Sequence, residues 1–146
     1  MSSPSSQTTT FFIDRCLGKK LATVLRAQGH TVELHDSHFA KDAKDVDWLP
    51  AVGQRGWVVL TKDERIAKRF LERLAVASAG VKMFVLVSQN LSGTDTAAAF
   101  TKAIPAMQQF LQANPAPFIA KVYQDGDISL WKDHQTLLDE LNSPPQ

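Results

Sequence analysis

The sequence predicts an α/β fold, a three-layer α/β/α sandwich with a mostly parallel central sheet and a C-terminal β-hairpin. Apolar strand-like runs alternate with segments of helical periodicity along most of the 146 residues, and this alternation is typical of parallel sheets covered by helices. Residues 57–61 and 83–87 are almost wholly apolar, which indicates strands buried on both faces. The length and the 44% hydrophobic content suit one globular domain.

The first predicted strand is formed by residues 11–14, three apolar residues followed by an aspartate. Apolar side chains then recur at helical spacing up to Gly29, which suits a helix C-terminus. Polar and apolar side chains alternate along residues 31–35, which predicts a strand near an edge of the sheet. Residues 36–47 are polar and predict a loop, after which Asp47 is expected to cap a short helix.

The middle of the chain predicts a central parallel strand over residues 57–61. One amphipathic helix is expected from Asp63 to about residue 78. The strand at residues 83–87 follows. A helix from about residue 95 to 113 is then expected to kink or restart at Pro105.

The C-terminal part predicts a hairpin. Two strand-like segments, residues 118–124 and 127–131, flank Asp125-Gly126, and Asp-Gly between such segments is a hairpin signal. Residues 136–141 add a helical turn or two. The hairpin would either close the sheet or serve an interface.

Residues 11–141 are expected to form the single domain. The Ser/Thr-rich residues 1–10 predict a disordered leader, and residues 142–146 a flexible tail. No apolar run approaches the roughly 20 residues of a membrane helix, so no membrane partner is expected. The one cysteine, Cys16, excludes an internal disulfide and suits the reducing cytoplasm. The net charge of +1 does not by itself indicate a nucleic-acid binder.

Two predicted buried strands end at an aspartate, Asp14 and Asp63. The right-handed crossover rule places parallel strand ends at one edge of a sheet, where ligands bind. Neighbouring carboxylates repel one another unless a cation lies between them, and several aspartate oxygens suit Mg²⁺ or Mn²⁺. With a third acid from residues 42–47, the pattern favours a metal site. A divalent ion bound there could activate water and stabilise charge that develops on a phosphodiester.

Each acid also has a structural interpretation. Asp63 precedes a predicted helix and could be its cap, Asp14 could form a surface ion pair with Arg15, and residues 42–47 could be a solvated loop. Singly, these interpretations explain each residue as well as a metal site does. Two acids on one ligand-binding edge favour the site.

Basic residues near this edge, Lys19, Lys62 and Arg65, are candidates for contacts with RNA phosphates, although a solvated surface is the commoner role of such residues. The three histidines His30, His35 and His38 span a strand and a loop. They are expected to be structural or at the surface rather than zinc ligands. Cys16 is expected to be a small buried residue rather than a nucleophile.

Four motifs carry a resemblance to a known family: Phe12-Ile13-Asp14, Gly29-His30-Thr31-Val32, Asp45-Val46-Asp47-Trp48-Leu49, and Gly56-Trp57-Val58-Val59-Leu60-Thr61-Lys62-Asp63. In this order they resemble the PIN-like domains, most closely the VapC-like toxin branch. The resemblance covers residues 11–88 closely and the rest of the chain by element order.

The resemblance implies a metal-dependent endoribonuclease with an acidic cluster that binds Mg²⁺ or Mn²⁺. By motif, the metal-binding acids are Asp14, Asp45 and Asp63, with Asp47 as the alternative to Asp45, and Thr61 orients one of them by a hydrogen bond. A fourth acid is common in the family, and only Glu64 lies close by in the sequence. The resemblance further implies an RNA substrate, an antitoxin protein as partner, and a homodimer.

Two other functions fit parts of the pattern. The lack of an obvious fourth acid suits a non-catalytic PIN-like module that binds RNA or a protein. A metal-dependent phosphatase of the haloacid-dehalogenase type is disfavoured, because Asp14-Arg15-Cys16 has no second aspartate two residues after the first.

Overall fold

The structure is a computed structural model that describes residues 9–88 and 90–143. The strands are β1 (Thr10–Ile13), β2 (Thr31–Leu34), β3 (Val58–Thr61), β4 (Lys82–Leu86), β5 (Phe118–Val122) and β6 (Ile128–Lys132). They form one six-stranded sheet in the order β2-β1-β3-β4-β5-β6. Strands β1 to β5 are parallel, and β6 pairs antiparallel with β5 at the edge. The predicted mostly parallel sheet, its central strand β3 and its C-terminal hairpin are therefore confirmed.

The helices are α1 (Lys20–Ala27), α2 (Asp45–Gln54), α3 (Arg65–Lys68), α4 (Phe70–Ala79), α5 (Gly93–Ala113) and α6 (His134–Asn142). Buried residues of α1 and α5 form one core cluster with one face of the sheet. Buried residues of the other four helices form a second cluster with the opposite face. The fold is the predicted three-layer α/β/α sandwich.

Both faces of the central strands are buried, which explains their unbroken apolar sequence. In β1, Phe11 and Ile13 belong to the core cluster beneath α1 and α5. Phe12 belongs to the cluster on the opposite side. In β3, Val59 faces the same cluster as Phe12.

Three helix predictions need correction. Helix α2 begins at Asp45 after an extended Lys44, so Asp47 lies in its first turn and is not its cap. The helix expected from Asp63 is two helices, because the extended backbone of Arg69 (φ −97°, ψ 130°) separates α3 from α4. Helix α5 is one helix from Gly93 to Ala113, so it does not restart at Pro105.

Packing explains the continuity of α5. Its buried residues on both sides of the proline pack in the same core cluster, so the sheet supports both halves despite the missing backbone donor.

The predicted leader and tail fall largely outside the described residues. The described part of the leader includes Thr10, which belongs to β1, and the described part of the tail includes Asn142, which ends α6. No helix within residues 9–88 and 90–143 has both the length and the apolar character that crossing a membrane requires.

Replacing Gly53 by alanine is expected to destabilise the fold. A Cβ atom there would lie 2.6 Å from the Ala79 carbonyl oxygen and 2.7 Å from the Ala79 Cβ, where α2 packs against α4. The better helix propensity of alanine would contribute up to about 1 kcal/mol, but overpacking costs about 1–3 kcal/mol. Urea denaturation should therefore show a net loss.

The matched control is Gln54→Ala at the exposed next position of the same helix, which should change the free energy of unfolding by less than about 0.5 kcal/mol. Equal stability of G53A and the wild type would contradict the close approach of α2 and α4.

Candidate metal centre

The carboxyl ends of β1 and β3 border a cavity of about 610 Å³. Its charged lining residues are the acids Asp14, Asp42, Asp45, Asp63 and Glu72 and the bases Arg15, Lys41, Lys44, Arg65 and Arg69. A larger cavity of about 770 Å³ lies between α5 and the β5–β6 hairpin. The smaller one is the candidate site, because charges of both signs converge there at the sheet edge where ligands of parallel sheets bind.

The sheet register brings Asp14 beside Thr61. Ile13 pairs with Leu60, and the Asp14 N–H donates to the Leu60 carbonyl at 3.0 Å. The buried Thr61 hydroxyl donates to Asp14 Oδ2 at 2.8 Å and accepts the Asp63 N–H at 3.0 Å. One hydroxyl therefore holds both strand-end acids in place.

Asp14 is a buried residue, with 7% of its surface exposed. Its Oδ1 accepts the Arg15 backbone N–H at 2.7 Å, and its Oδ2 also accepts the Cys16 thiol at 3.6 Å. The Arg15 guanidinium donates to the Lys41 carbonyl instead, so the ion pair considered from the sequence is not formed. A buried carboxylate whose hydrogen-bond partners are neutral favours a nearby cation.

Cys16 is exposed, and the expectation that it is buried is wrong. The single 3₁₀ turn Arg15–Leu17 directs Leu17 into the core, and Cys16 Sγ lies 3.4 Å from the Thr61 hydroxyl. Partial burial of the sulfur and the charge of Asp14 raise the pKa of the Cys16 thiol. The thiol therefore stays protonated at neutral pH and is poorly suited as a nucleophile.

Asp45 lies in the first turn of α2, and its Oδ1 accepts the indole N–H of Trp48 at 3.0 Å. Burial, and then the charges of Asp14 and Asp63, raise the pKa of Asp45. All three residues line the same cavity, and neighbouring carboxylates there repel one another.

Asp63 directs both carboxylate oxygens at Arg65. Arg65 donates from Nε to Oδ1 at 2.9 Å and from Nη2 to Oδ2 at 3.1 Å. Burial raises the pKa of Asp63, but these hydrogen bonds outweigh burial and lower it. Oδ1 also accepts the backbone N–H of Arg65, the first residue of α3, at 3.0 Å, whereas the cap position of this helix is Glu64.

The acid that sequence reasoning missed is Glu72 of α4. It lines the cavity, its charge helps to raise the pKa of Asp45, and it accepts a hydrogen bond from Arg69 at 3.3 Å. In Glu64, the acid noted from the sequence, Oε1 lies 3.9 Å from Nζ of Lys68. The extended backbone at Arg69 separates α3 from α4 and so determines where Glu72 points. The sequence pattern, which predicted one continuous helix, gave no sign of this interruption.

The other predicted site residues are dispersed. Asp47 and Lys62 are exposed and are not among the described residues that line the cavity. Lys19 lines a neighbouring cavity of about 120 Å³ that shares Asp14 with the main one. Of the three predicted RNA-binding residues, Arg65 alone lines the main cavity. His35 is buried against Phe12, which agrees with a structural role.

The acids suit a hard divalent cation, which prefers carboxylate oxygens. Asp14 has neutral partners, and the negative charges of Asp14 and Asp63 raise the pKa of Asp45, so a cation between these groups would relieve their repulsion. In the described part of the chain, no three His, Cys, Asp or Glu side chains are grouped as a ready metal site. The engagement of Asp63 with Arg65 is the contact that such an ion would have to displace.

Replacing Asp45 by asparagine is expected to stabilise the fold at neutral pH. Because the pKa of Asp45 is raised in the folded state, its ionisation opposes folding, and this cost disappears as the pH falls through the raised pKa. The amide oxygen of asparagine can still accept the Trp48 N–H. Urea denaturation across this range should show D45N more stable than the wild type at neutral pH and the difference shrinking in acid.

The control for D45N is Asp47→Asn, which removes the same charge from the exposed side of the same first turn. Subtracting its effect removes the contribution of the helix dipole. A difference between D45N and D47N that does not change with pH would contradict the repulsion among the cavity acids.

Comparisons with known proteins identify the family of the chain. The profile of a family described as "PIN like domain" matches residues 9–88, which contain Asp14, Asp45, Asp63 and Glu72. The chain is also 26% identical over 117 residues to the Mycobacterium tuberculosis protein named "Putative ribonuclease VapC45", an alignment that covers 77% of this chain and 84% of the relative. No solved structure gives a significant match. The chain belongs to the PIN-like domain family.

Proposed function

We propose that the protein is a divalent-metal-dependent endoribonuclease that cleaves RNA phosphodiesters. The observation that carries the proposal is the convergence of Asp14, Asp45 and Asp63 on one cavity, where the charges of the other two raise the pKa of Asp45. Membership of the PIN-like family and the ribonuclease name of the mycobacterial relative support the same activity.

In this proposal Asp14, Asp45 and Asp63 hold Mg²⁺ or Mn²⁺, with Glu72 as the fourth acid. Such an ion, when bound, supplies an activated water and offsets charge that develops on the phosphodiester. Thr61 positions Asp14 and Asp63 through its hydroxyl.

The basic residues around the cavity, Arg15, Lys41, Lys44 and Arg69, attract RNA phosphates and orient the chain of the substrate. Lys19, beside the neighbouring cavity, would extend this surface along the RNA.

We further propose that the protein acts as the toxin of a toxin–antitoxin pair in the cytoplasm. Its partner would be an antitoxin protein that covers the acidic cavity, and the active form would be a homodimer. This part of the proposal is supported by the similarity to the VapC-named relative. Co-purification with the product of a neighbouring reading frame, and loss of RNA cleavage in that complex, would test it.

The test of the activity uses a matched pair on one helix, Asp45→Asn and Asp47→Asn. RNA cleavage by the wild type should stop with EDTA and return with Mn²⁺. D45N should lose more than the roughly 10–100-fold that removal of an outer-sphere partner costs, whereas D47N should retain activity because Asp47 is exposed outside the cavity lining. Cleavage that resists EDTA, or equal activity in D45N and the wild type, would refute the assignment.

The second candidate is a PIN-like module that binds RNA without cleaving it. It is favoured by the engagement of both Asp63 oxygens with Arg65, which would keep that acid from a metal. In that case RNA would bind with equal affinity with and without Mn²⁺, and Asp14→Asn would leave binding unchanged.

A further inference from the structure

Two acids of the cavity are each covered by an exposed arginine. The side chain of Asp63 is 14% exposed and that of its partner Arg65 is 67% exposed. The side chain of Glu72 is 12% exposed and that of its partner Arg69 is 53% exposed. The acids are therefore held by the fold, whereas the arginine side chains extend into solvent and can change partner with little loss of burial.

The pair of Asp63 and Arg65 blocks the oxygens that a cation would need. Oδ1 accepts two hydrogen bonds from Arg65 and Oδ2 accepts one. A divalent cation that binds Asp63 would also lie close to the positive guanidinium of Arg65, and the two positive charges would repel each other. Release of the guanidinium would therefore favour binding of a metal at Asp63, because it frees lone pairs of both oxygens and removes the repulsive charge.

RNA offers Arg65 an alternative anion. A guanidinium binds phosphate in the same two-pronged geometry as it binds carboxylate, and Arg65 lines the cavity that contains Asp14 and Asp45. A phosphate in this cavity would therefore compete directly with Asp63 for the same donors.

We propose that Arg65 is an exchangeable counter-ion that occupies Asp63 in the free protein and transfers to an RNA phosphate when the substrate binds, so that RNA and the divalent cation bind cooperatively. This inference rests on the proposed function. Arg65 acts as a positioning residue that keeps the acidic site closed until a phosphate is present. By linkage, the factor by which RNA raises the metal affinity equals the factor by which metal raises the RNA affinity.

The test measures Mn²⁺ affinity by calorimetry in the wild type, Arg65→Gln and Arg15→Gln. Both variants remove one positive charge from the lining of the same cavity, but Arg15 donates to the Lys41 carbonyl rather than to an acid, so only R65Q frees an acid of the site. R65Q should bind Mn²⁺ roughly two- to fivefold more tightly than R15Q, as expected for loss of one exposed ion pair. Arg65→Lys keeps the positive charge but cannot make the bidentate contact with Asp63. It should therefore also bind Mn²⁺ more tightly than the wild type.

A second titration adds a short phosphorothioate oligoribonucleotide, which resists cleavage. It should tighten Mn²⁺ binding in the wild type and have little effect in R65Q. Mn²⁺ binding that is equal or weaker in R65Q than in R15Q, or an oligonucleotide effect that persists in R65Q, would overturn the exchange while leaving the metal site intact. Absence of Mn²⁺ binding in the wild type, or binding that survives Asp14→Asn, would overturn the proposed function together with this inference.

Discussion

Replacing Asp14 by asparagine is expected to abolish Mn²⁺ binding and RNA cleavage without lowering the free energy of unfolding. Asp14 lies deepest among the cavity acids, with 7% exposure, and its partners are a backbone N–H, a hydroxyl and a thiol. Asparagine has the same shape, accepts the Arg15 N–H through its amide oxygen, and donates to the Thr61 hydroxyl through its amide nitrogen.

The energetic reason is that the charge of Asp14 repels other groups of the cavity. Its charge raises the pKa of Asp45 and of the Cys16 thiol, so removing it relieves repulsion in the folded state. The free energy of unfolding should stay within about 1 kcal/mol of the wild type or rise. Loss of stability for the sake of a charged site is common in enzymes.

Urea denaturation, Mn²⁺ calorimetry and an RNA cleavage assay on the same preparation separate these effects. Asp47→Asn is the control, since it removes an equal charge from an exposed position outside the cavity lining. Wild-type cleavage by D14N would refute the catalytic assignment. A loss of several kcal/mol in stability would show instead that the carboxylate holds the strand end in place.

The positions of Asp14 and Asp63 could be predicted from the sequence because strand direction alone decides them. Two apolar runs that each end in an acid must present these acids at one edge once the strands are parallel, and the register that pairs Ile13 with Leu60 then places Asp14 beside Thr61. Asp45 could not be separated from Asp47 in this way, because both lie in one turn of α2 and only the packing of Trp48 decides which of them faces the cavity.

Glu72 and Arg69 could not be predicted because they depend on a backbone break without a local sequence signal. Arg69 carries neither the proline nor the glycine that usually interrupts a helix, yet its extended conformation reorients α4 and brings Glu72 to the cavity. Cys16 illustrates the same limit, since the single 3₁₀ turn buries Leu17 and leaves Cys16 exposed, and no local sequence signal shows that turn.

Replacing Phe12 by alanine is expected to cost about 3–5 kcal/mol, as for other fully buried aromatic residues. Phe12 is completely buried, and its ring centroid lies 5.3 Å from that of Trp48, 5.9 Å from that of Phe39 and 6.0 Å from that of Trp57. Since domains of this kind are stable by about 5–15 kcal/mol, this loss is a large share of the total. Thermal and urea denaturation would measure it.

The same substitution tests whether the aromatic cluster positions Asp45. Trp48 contacts Phe12 and also donates its indole N–H to Asp45, so a cavity beneath Trp48 should loosen Asp45 and weaken Mn²⁺ binding under conditions where F12A remains folded. Phe12→Leu, which fills more of the space, should cost less in both stability and Mn²⁺ affinity. Leu71→Ala, an exposed position on the cavity lining, should leave stability nearly unchanged. If F12A loses stability but keeps wild-type Mn²⁺ affinity, the first turn of α2 holds Asp45 without help from the core, and the coupling through Trp48 is refuted.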